Sequence, residues 1–351
     1  MTLTITLTLT LTFNFGIDIP MKRISIILLG LSLALGLQAR RQNVIFETDM
    51  GNDVDDALAI DMLYKYAKDG NIRLMAVMLN KEGQFPPRFI DLLNTWYGRK
   101  RIPIGLSNRD DKSMVAGSNY TQVVCEEKDE AGKPIYRRSV KDYGRLLPAP
   151  KLYRKLLARA KDHSVTIVSV GFSTNLALLL DTPADEYSPL TGRQLVELKV
   201  DRLVTMAGHM EDKNFHEYNV VNDIPACQRV YNEWPTDIYT SPFELGLQIK
   251  YPARSIQNDF TWTEHHPIVD AYKAYLPRLE DRPTWDLTAV LYAVDAQDFF
   301  NVSAPGRITI TDEGSSLYRP EVGGHHYYLS VTPQQASRIL DYFVRKITRK
   351  P

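Results

Sequence analysis

The chain has 351 residues, 44% of them hydrophobic, so it is long enough to bury the core of one large α/β domain or of two ordinary ones. Lysine and arginine together number 42, as do aspartate and glutamate, and a chain of zero formal net charge has no broad basic surface for binding nucleic acid. The two cysteines, Cys125 and Cys227, are too few for a disulfide framework and too widely spaced for a zinc motif, which leaves one disulfide open.

The N-terminal region has the pattern of a signal peptide. The chain reads Met-Lys-Arg from Met21, then a mostly apolar run over Ile24–Leu37, then Gln38-Ala39 before Arg40. The apolar run is too short to favour a stable membrane span. We therefore interpret 21–39 as a signal peptide, with a mature chain that begins near Arg40 in the periplasm or outside the cell. Residues 1–20 alternate threonine with leucine and are interpreted as a non-native or disordered extension, with an amphipathic strand as the alternative.

After Arg41, short β-rich runs alternate with helical stretches, which predicts an α/β fold with an open, Rossmann-like, mainly parallel sheet and flanking helices. The predicted strands are Val44–Thr48, Arg73–Leu79, Pro103–Leu106, Val165–Val170 and Asp201–Ala207. The predicted helices are Asp55–Lys68, Pro87–Tyr97, Lys151–Lys161, Thr174–Leu180 and Pro333–Ile347. The runs Arg307–Thr311 and His326–Ser330 predict a late hairpin, and the charged stretch Cys125–Leu147 a surface excursion or lid. No linker divides the rest, so we expect 40–351 to form one catalytic domain.

Four residues end a predicted strand or follow it directly: Asp49, Asn80, Val170 and Gly208. In open α/β sheets, ligands bind beyond the carboxyl ends of the strands. We therefore expect these four positions to converge at one edge of the sheet.

The chain around the first of these positions is strongly acidic. Five carboxylates lie within ten residues: Glu47, Asp49, Asp53, Asp55 and Asp56. Their mutual repulsion disfavours such a cluster unless a cation binds there, and hard divalent ions prefer carboxylate and carbonyl oxygens. The alternative is a helix N-terminus at which the acids favour the helix dipole, but it does not explain Asp49 at the strand end. The segment predicts a metal site that activates water for hydrolysis.

The same segment carries a family resemblance. The nucleoside hydrolases have an N-terminal signature, Asp-x-Asp-Pro-Gly-x-Asp-Asp-Ala, that resembles Asp49-Met50-Gly51-Asn52-Asp53-Val54-Asp55-Asp56-Ala57. Four later segments are similar to further motifs of that family, in the same order: Val168–Ala177, Met206-Ala207-Gly208, Glu217-Tyr218-Asn219 with Asp223–Ala226, and Trp285-Asp286. The likeness spans Val44 to Val294. The sequence departs from the signature at Glu47, which replaces the first aspartate, and in the extra pair Asp53-Val54.

The resemblance implies a role for each matching residue. It implies a calcium ion bound by the side chains of Asp49, Asp56 and Asp286 and by the backbone carbonyl of Val170. It implies that Asp49 is the general base for the attacking water and that Asp55 binds a ribose hydroxyl. It also implies substrate contacts for Asn80, Met206, Asn214, Glu217, Asn219 and Trp285. The extra pair leaves open whether Asp53 replaces Asp55 or Asp56 at the metal.

Trp285 bears on the choice of base. An indole has no titratable proton near neutral pH, so at the substrate it can act by stacking, and purines present the larger face. A purine preference follows, with plain core packing of Trp285 as the alternative. His209 and His216 flank the Glu217 segment and are the candidates for a leaving-group acid. The pairs His265-His266 and His325-His326 have no carboxylate at metal-binding spacing, and we expect them at the surface.

These features predict a periplasmic or secreted enzyme that uses Ca²⁺ to hydrolyse the N-glycosidic bond of ribonucleosides, releasing base and ribose. One alternative is a related glycosidase acting on another ribosyl substrate, and another is a non-catalytic, calcium-dependent ligand-binding protein. The expected partner is a small nucleoside or ribosyl molecule, and a homo-oligomer is left open. An Asp-x-Asp phosphatase is disfavoured because Glu47, one methylene longer, would misplace the nucleophile.

Overall fold

The computed structural model describes residues 41–107, 118–276, 278–295 and 298–351. The predicted signal peptide and the 1–20 extension lie outside these ranges. The strands are β1 Gln42–Thr48, β2 Ile72–Leu79, β3 Ile104–Gly105, β4 Val165–Ser169, β5 Val200–Met206, β6 Asp237–Ser241, β7 Lys250–Tyr251, β8 Arg282–Pro283, β9 Asn301–Val302, β10 Gly306–Ile310, β11 Ser316–Pro320 and β12 His326–Ser330.

The helices cover both faces of the sheet. They are α1 Asp55–Asp69, α2 Phe85–Trp96, α3 Tyr120–Glu126, α4 Ala149–Leu157, α5 Thr174–Asp181, α6 Gly192–Lys199, α7 Tyr218–Val221, α8 Ile224–Glu233, α9 Phe243–Leu247, α10 Ala253–Asn258, α11 Pro267–Tyr275, α12 Trp285–Asp295 and α13 Pro333–Thr348. Among the helices of the described ranges, none combines the length and the hydropathy that a membrane-spanning helix needs.

The main sheet confirms the predicted mainly parallel α/β fold. Its strand order is β11-β10-β12-β6-β5-β4-β1-β2-β3, with β9 paired to β12. All neighbours from β3 to β12 through β6 are parallel. In the central register, Phe46 of β1 lies between Val77 of β2 and Val168 of β4. The carboxyl ends of β1, β2, β4 and β5 therefore lie along one edge, as the sequence predicts.

The two faces of the sheet carry separate hydrophobic clusters. Val44 and Phe46 of β1 belong to one cluster, and Ile45 belongs to the other, because successive side chains of a strand point to opposite faces. Cys125 lies in the first cluster and Cys227 in the second. In the described part of the chain both thiols are free and buried, so the single disulfide that composition left open does not form.

Two predictions about the C-terminal region are wrong in detail. The hairpin partner of β10 is β11, while β12 joins β10 through one residue pair and runs parallel to β6. His266 and His326, expected at the surface, are each 2% exposed. His266 caps the N-terminus of α11, and His326 accepts a hydrogen bond from the Ile308 amide at 2.9 Å. Each imidazole accepts a hydrogen bond from a backbone N–H inside the protein, which the sequence pattern did not indicate.

The charged stretch after Cys125 is tied to the domain. Cys125 and Glu126 complete α3, and most of the rest has no regular secondary structure. Its anchor is the buried carboxylate of Asp91 in α2, which accepts hydrogen bonds from the amides of Ser139 and Val140 and from the Tyr143 hydroxyl. The surface excursion is confirmed, and whether it moves as a lid stays a prediction.

We expect His326 to make the folded state sensitive to acid. Burial lowers the pKa of His326 from 6.5 to about 4. Between pH 6.5 and 4, this imidazole is therefore protonated in the unfolded chain and neutral in the folded one. The free energy of unfolding should therefore fall as pH drops from 6.5 to 4, by about 3 kcal/mol from this group. Denaturant unfolding of His326→Gln should lack this share of the pH dependence. The exposed control His163→Asn should keep it, and equal slopes in wild type and His326→Gln would contradict the assignment.

Candidate active site

A cavity of about 300 Å³ opens at the carboxyl ends of β1, β4 and β5. Most of the residues that the sequence singled out share its wall. It is lined by Asp49, Asn52, Asp53, Asp55, Asp56, Val170, Met206, Glu217, Tyr218, Asn219, Phe243, Tyr275, Trp285 and Asp286. The sequence-predicted edge of the sheet is thus a concave site with acidic and aromatic sides.

The acidic loop between β1 and α1 is held in a fixed turn. Gly51 has a φ of 106°, a conformation that side-chain-bearing residues rarely adopt. Its amide donates to the Tyr120 hydroxyl at 2.9 Å, and that hydroxyl donates to the Asp53 carbonyl at 3.0 Å. Tyr120 of α3 is therefore hydrogen-bonded to both halves of the loop. These bonds help to position Asp49 before the turn and Asp55 after it.

Three carboxylates from two helices form the acidic side. Asp55 and Asp56 begin α1, Asp286 lies in the first turn of α12, and one oxygen of each lies within 4.8 Å of the others. Burial raises the pKa of all three well above the usual range, and repulsion from neighbouring aspartates raises it further. The Asp286 amide donates to Asp55 at 3.0 Å, and the Thr48 hydroxyl donates to Asp56. A bound cation would offset this repulsion, so the donor set fits a hard divalent ion.

Asp49 lies beside this cluster and is oriented by a hydrogen-bonded chain. Lys81 donates to the side-chain oxygen of Asn52, and the Asn52 amide donates to Asp49. Burial raises the pKa of Asp49 to about 6, while the Asn52 hydrogen bond and the Lys81 charge lower it. The Lys81 ammonium is itself buried and also donates to the Gly51 carbonyl at 3.1 Å. Asp49 is thus a buried, oriented carboxylate that can accept a proton.

Asp53, from the extra pair in the loop, has another partner. Its carboxylate forms an ion pair with Arg282 of β8, with one Nε···Oδ1 distance of 3.1 Å. The guanidinium also lies 5.4 Å from the ring centre of Tyr275 and 5.6 Å from that of Trp285. Asp53 therefore pairs with Arg282 in this structure, and its place relative to the metal stays a prediction.

Asn219 joins two further residues of the site. Its side-chain amide donates to the backbone carbonyls of Val170 and Met206, both at 3.1 Å. The Val170 carbonyl, a predicted metal ligand, thus already accepts one hydrogen bond, and a carbonyl oxygen has a second lone pair for a cation. Asn219, Val170 and Met206 are predicted residues that the fold brings together.

Glu217 is buried and held by three backbone donors. One carboxylate oxygen accepts from the backbone N–H of Asn219 at 2.9 Å. The other accepts from the backbone N–H groups of Gly208 and Val220 at 3.0 and 3.2 Å. These bonds make Glu217 the N-cap of α7. Burial raises its pKa to about 7, although the three donors lower it. The carboxylate is therefore rigid, and it lines the cavity as predicted.

The cavity wall also has an aromatic side, formed by the rings that line it. Trp285 stacks on Phe243 with ring centres 5.2 Å apart and donates its indole N–H to the Phe243 carbonyl at 3.0 Å. Tyr275 and Tyr218 complete this side. Because the indole N–H is already engaged, Trp285 offers its ring and no donor to a ligand.

Asn80 and Asn214 do not line the cavity. Asn80 is fully buried and donates to the carbonyl of Phe172 at 2.8 Å and to Glu47 at 3.3 Å. Asn214 is exposed on the loop before Glu217. Their predicted substrate contacts therefore have no support from their positions. Glu47 does not line the cavity either, and its carboxylate accepts from the Tyr153 hydroxyl at 2.7 Å.

The histidines flanking Glu217 differ in their surroundings. The His209 ring accepts from the amides of Glu211 and Asp212 at 3.3 and 3.0 Å and lies 5.9 Å from the Phe243 ring. His216 is exposed. Neither lines the cavity, so a leaving-group acid stays unassigned among the described residues.

Sequence reasoning missed several residues of the wall. Asn52 and Tyr218 lie inside the quoted motifs but received no role, and Phe243 and Tyr275 lie in no segment that stood out. The signal for Asn52 was its place three residues after Asp49, within hydrogen-bonding reach. Phe243 and Tyr275 carry no such signal, because the tertiary fold brings their helices to the site.

Known proteins resemble this chain in sequence pattern and in fold. A family model described as inosine-uridine preferring nucleoside hydrolase matches residues 44–336. No curated protein sequence gives a significant match.

Solved structures resemble the chain at low identity. A purine-preferring ribonucleoside hydrolase from Gardnerella vaginalis is 15% identical, with a TM-score of 0.66 over 88% of this chain and 98% of that one. An inosine-uridine preferring nucleoside hydrolase from Bacillus anthracis is 18% identical, with a TM-score of 0.64 over 87% and 99%. The type III effector XopQ, solved with adenosine diphosphate ribose, is 14% identical, with a TM-score of 0.61 over 94% and 99%. These likenesses support the fold.

Proposed function

The chain belongs to the inosine-uridine preferring nucleoside hydrolase family, and from this premise we propose that it is a calcium-dependent hydrolase that cleaves ribonucleosides into base and ribose. One observation carries the proposal: Asp55, Asp56 and Asp286 hold three carboxylate oxygens within 4.8 Å of one another in the wall that they share with Asp49. Such an all-oxygen donor set suits calcium better than a softer metal.

The ligands that we propose for calcium are Asp49, Asp56, Asp286 and the Val170 carbonyl. When bound there, calcium would supply a Lewis acid that lowers the pKa of a coordinated water. Asp55 lies close enough to the other two carboxylates to be a fourth side-chain ligand, and it competes for that place with its proposed contact to a ribose hydroxyl.

The residues of the chain divide the remaining work. Asp49, oriented by Asn52, takes a proton from the attacking water. The anionic side stabilises the positive charge that develops on the ribose ring as the glycosidic bond breaks. Glu217 and Asn219, locked by their own hydrogen bonds, can hold ribose hydroxyls without reorganising. The aromatic side receives the leaving base.

A nucleoside panel tests this function. Purified protein would be incubated with inosine, adenosine, guanosine, uridine and cytidine, with calcium or with a chelator, and free ribose would be measured. We expect ribose release with calcium and its loss with chelator. Absence of turnover on every nucleoside would overturn the proposal and favour the calcium-dependent binding protein instead.

A second candidate substrate is a larger ribosyl compound. The type III effector XopQ, of similar fold, was solved with adenosine diphosphate ribose. In this chain the cavity is rimmed by Tyr218, which is 42% exposed, so part of a longer substrate can extend past it. Release of free adenine from adenosine diphosphate ribose, faster than release of base from nucleosides, would favour this second candidate.

We expect Trp285 to set a preference for purines. Its N–H is bound to Phe243, so it can assist only through its ring, and stacking of about 1 to 3 kcal/mol corresponds to a five- to hundredfold preference over pyrimidines. The kcat/KM ratio of inosine to uridine should exceed one in wild type, fall in Trp285→Ala and recover in part in Trp285→Phe. The control Trp262→Ala, outside the cavity wall, should keep the wild-type ratio. A ratio unchanged in Trp285→Ala would refute the prediction.

A further inference from the structure

A second group of metal-type side chains lies apart from the active-site cavity, where the excursion after α3 meets α11. We propose that Glu127, His265 and Asp270 form a binding site for a divalent transition metal such as zinc. One ligand atom of each, including an imidazole nitrogen, lies within 4.8 Å of the others. Ligands of one zinc ion lie about 3 to 4 Å apart, so small side-chain rotations close the site.

The backbone elements set this geometry. Glu127 directly follows the last residue of α3, and its carbonyl accepts from the Ile135 amide at 3.1 Å. His265 lies two residues before α11, and Asp270 lies in the first turn of that helix. The three proposed ligands therefore lie at the end of α3 and at the start of α11. All three are partly buried.

The second observation concerns a carboxylate oxygen of Glu127. Its Oε2 is buried, and it has no hydrogen-bond partner among the described residues. Asp270, by contrast, accepts from the Tyr136 hydroxyl. A buried carboxylate oxygen without a partner is unfavourable, and a cation is a partner that two carboxylates and an imidazole can share.

Charged groups of both signs surround these three side chains. Burial raises the pKa of Glu127, and the negative charge of Asp270 raises it further, while His265 and Lys273 lower it. Glu264 adds a carboxylate 4.0 Å from the imidazole of His265, on a side chain that is 92% exposed. An imidazole among the ligands favours zinc or a similar ion over calcium, which prefers oxygen ligands.

The position of this site relates it to the active site. Tyr120 of α3 pins the acidic loop, and Tyr275 of α11 lines the cavity. The two rings meet edge to face with centres 5.9 Å apart. A metal between Glu127 and α11 would fasten these two helices to each other, so it should stabilise the protein and the positions of both tyrosines.

Cobalt(II) is the probe that tests the site, because its visible absorption reports nitrogen and oxygen ligands. Protein would first be saturated with calcium and then titrated with Co²⁺. We expect one Co²⁺ bound with visible absorption in wild type, and an affinity at least about 100-fold lower in Glu127→Gln and in His265→Ala, since a direct ligand should matter at least as much as its supporting hydrogen bonds. Thermal unfolding should show stabilisation by Co²⁺ or Zn²⁺ in wild type but not in Glu127→Gln or His265→Ala.

Matched variants separate this site from the first one. Glu130→Gln and His325→Ala remove a nearby carboxylate and another imidazole, and both should bind Co²⁺ as wild type does. Asp286→Ala should also keep the Co²⁺ signal, whatever happens to nucleoside hydrolysis. Glutamine is the isostere of protonated glutamate, so Glu127→Gln should fold. No Co²⁺ binding in wild type, equal affinity in Glu127→Gln, or loss of the signal in Asp286→Ala would each overturn the proposal.

Discussion

Replacing Asp49 with asparagine should lower kcat for nucleoside hydrolysis by about 10²- to 10⁴-fold at saturating calcium, the range expected when a general base is removed. Asparagine keeps the shape of the side chain and an oxygen that can accept from the Asn52 amide. It cannot take a proton from water. The substitution also removes a buried negative charge that repels Asp56, so the fold should be at least as stable as wild type in the absence of metal.

The control for this prediction lies at the other end of α1. Asp69→Asn makes the same chemical change at an aspartate paired with Lys346 and Arg349, far along the helix from the cavity. It should leave kcat unchanged and lower stability by about 1 kcal/mol or less, because exposed ion pairs contribute little. Wild-type kcat in Asp49→Asn would show that another group is the base.

The Asp286→Ala variant should lose tight calcium binding while it keeps its fold. Wild type at calcium concentrations 100 times the Kd should gain about 2.7 kcal/mol of stability, and the variant should gain none at the same concentration. In the absence of metal the variant should be no less stable than wild type, because Asp286 is one of several buried carboxylates that repel one another. Calorimetric titration and thermal unfolding with and without calcium measure both effects.

Two comparisons sharpen the metal assignment. Asp295→Ala, at the last residue of the same helix, should bind calcium like wild type. Asp49→Ala and Asp55→Ala distinguish the ligand set that the family resemblance implies from the tightest carboxylate cluster of the structure. A larger loss of calcium affinity in Asp55→Ala than in Asp49→Ala would assign Asp55 to the metal and not to ribose. Wild-type affinity in Asp286→Ala would contradict both sets.

Local patterns predicted much of the fold and one side of the site. β-rich runs gave strands such as β1, β2, β4 and β5 within one or two residues, because a strand buried on both faces must be continuously apolar. The position of Asp49 at the end of such a strand placed it at the ligand-binding edge. The motif resemblance then added Glu217, Asn219 and Asp286, which periodicity alone does not mark.

Only the tertiary structure decided how distant segments meet. Asp286 lies 231 positions from Asp55 and yet donates its amide to that carboxylate. The ion pair between Asp53 and Arg282 spans 229 positions. The burial of His266 and His326 and the pairing of β12 with β6 are of the same kind. Each depends on packing between elements far apart in the chain, and residue spacing carries no information about which distant partner a side chain will contact.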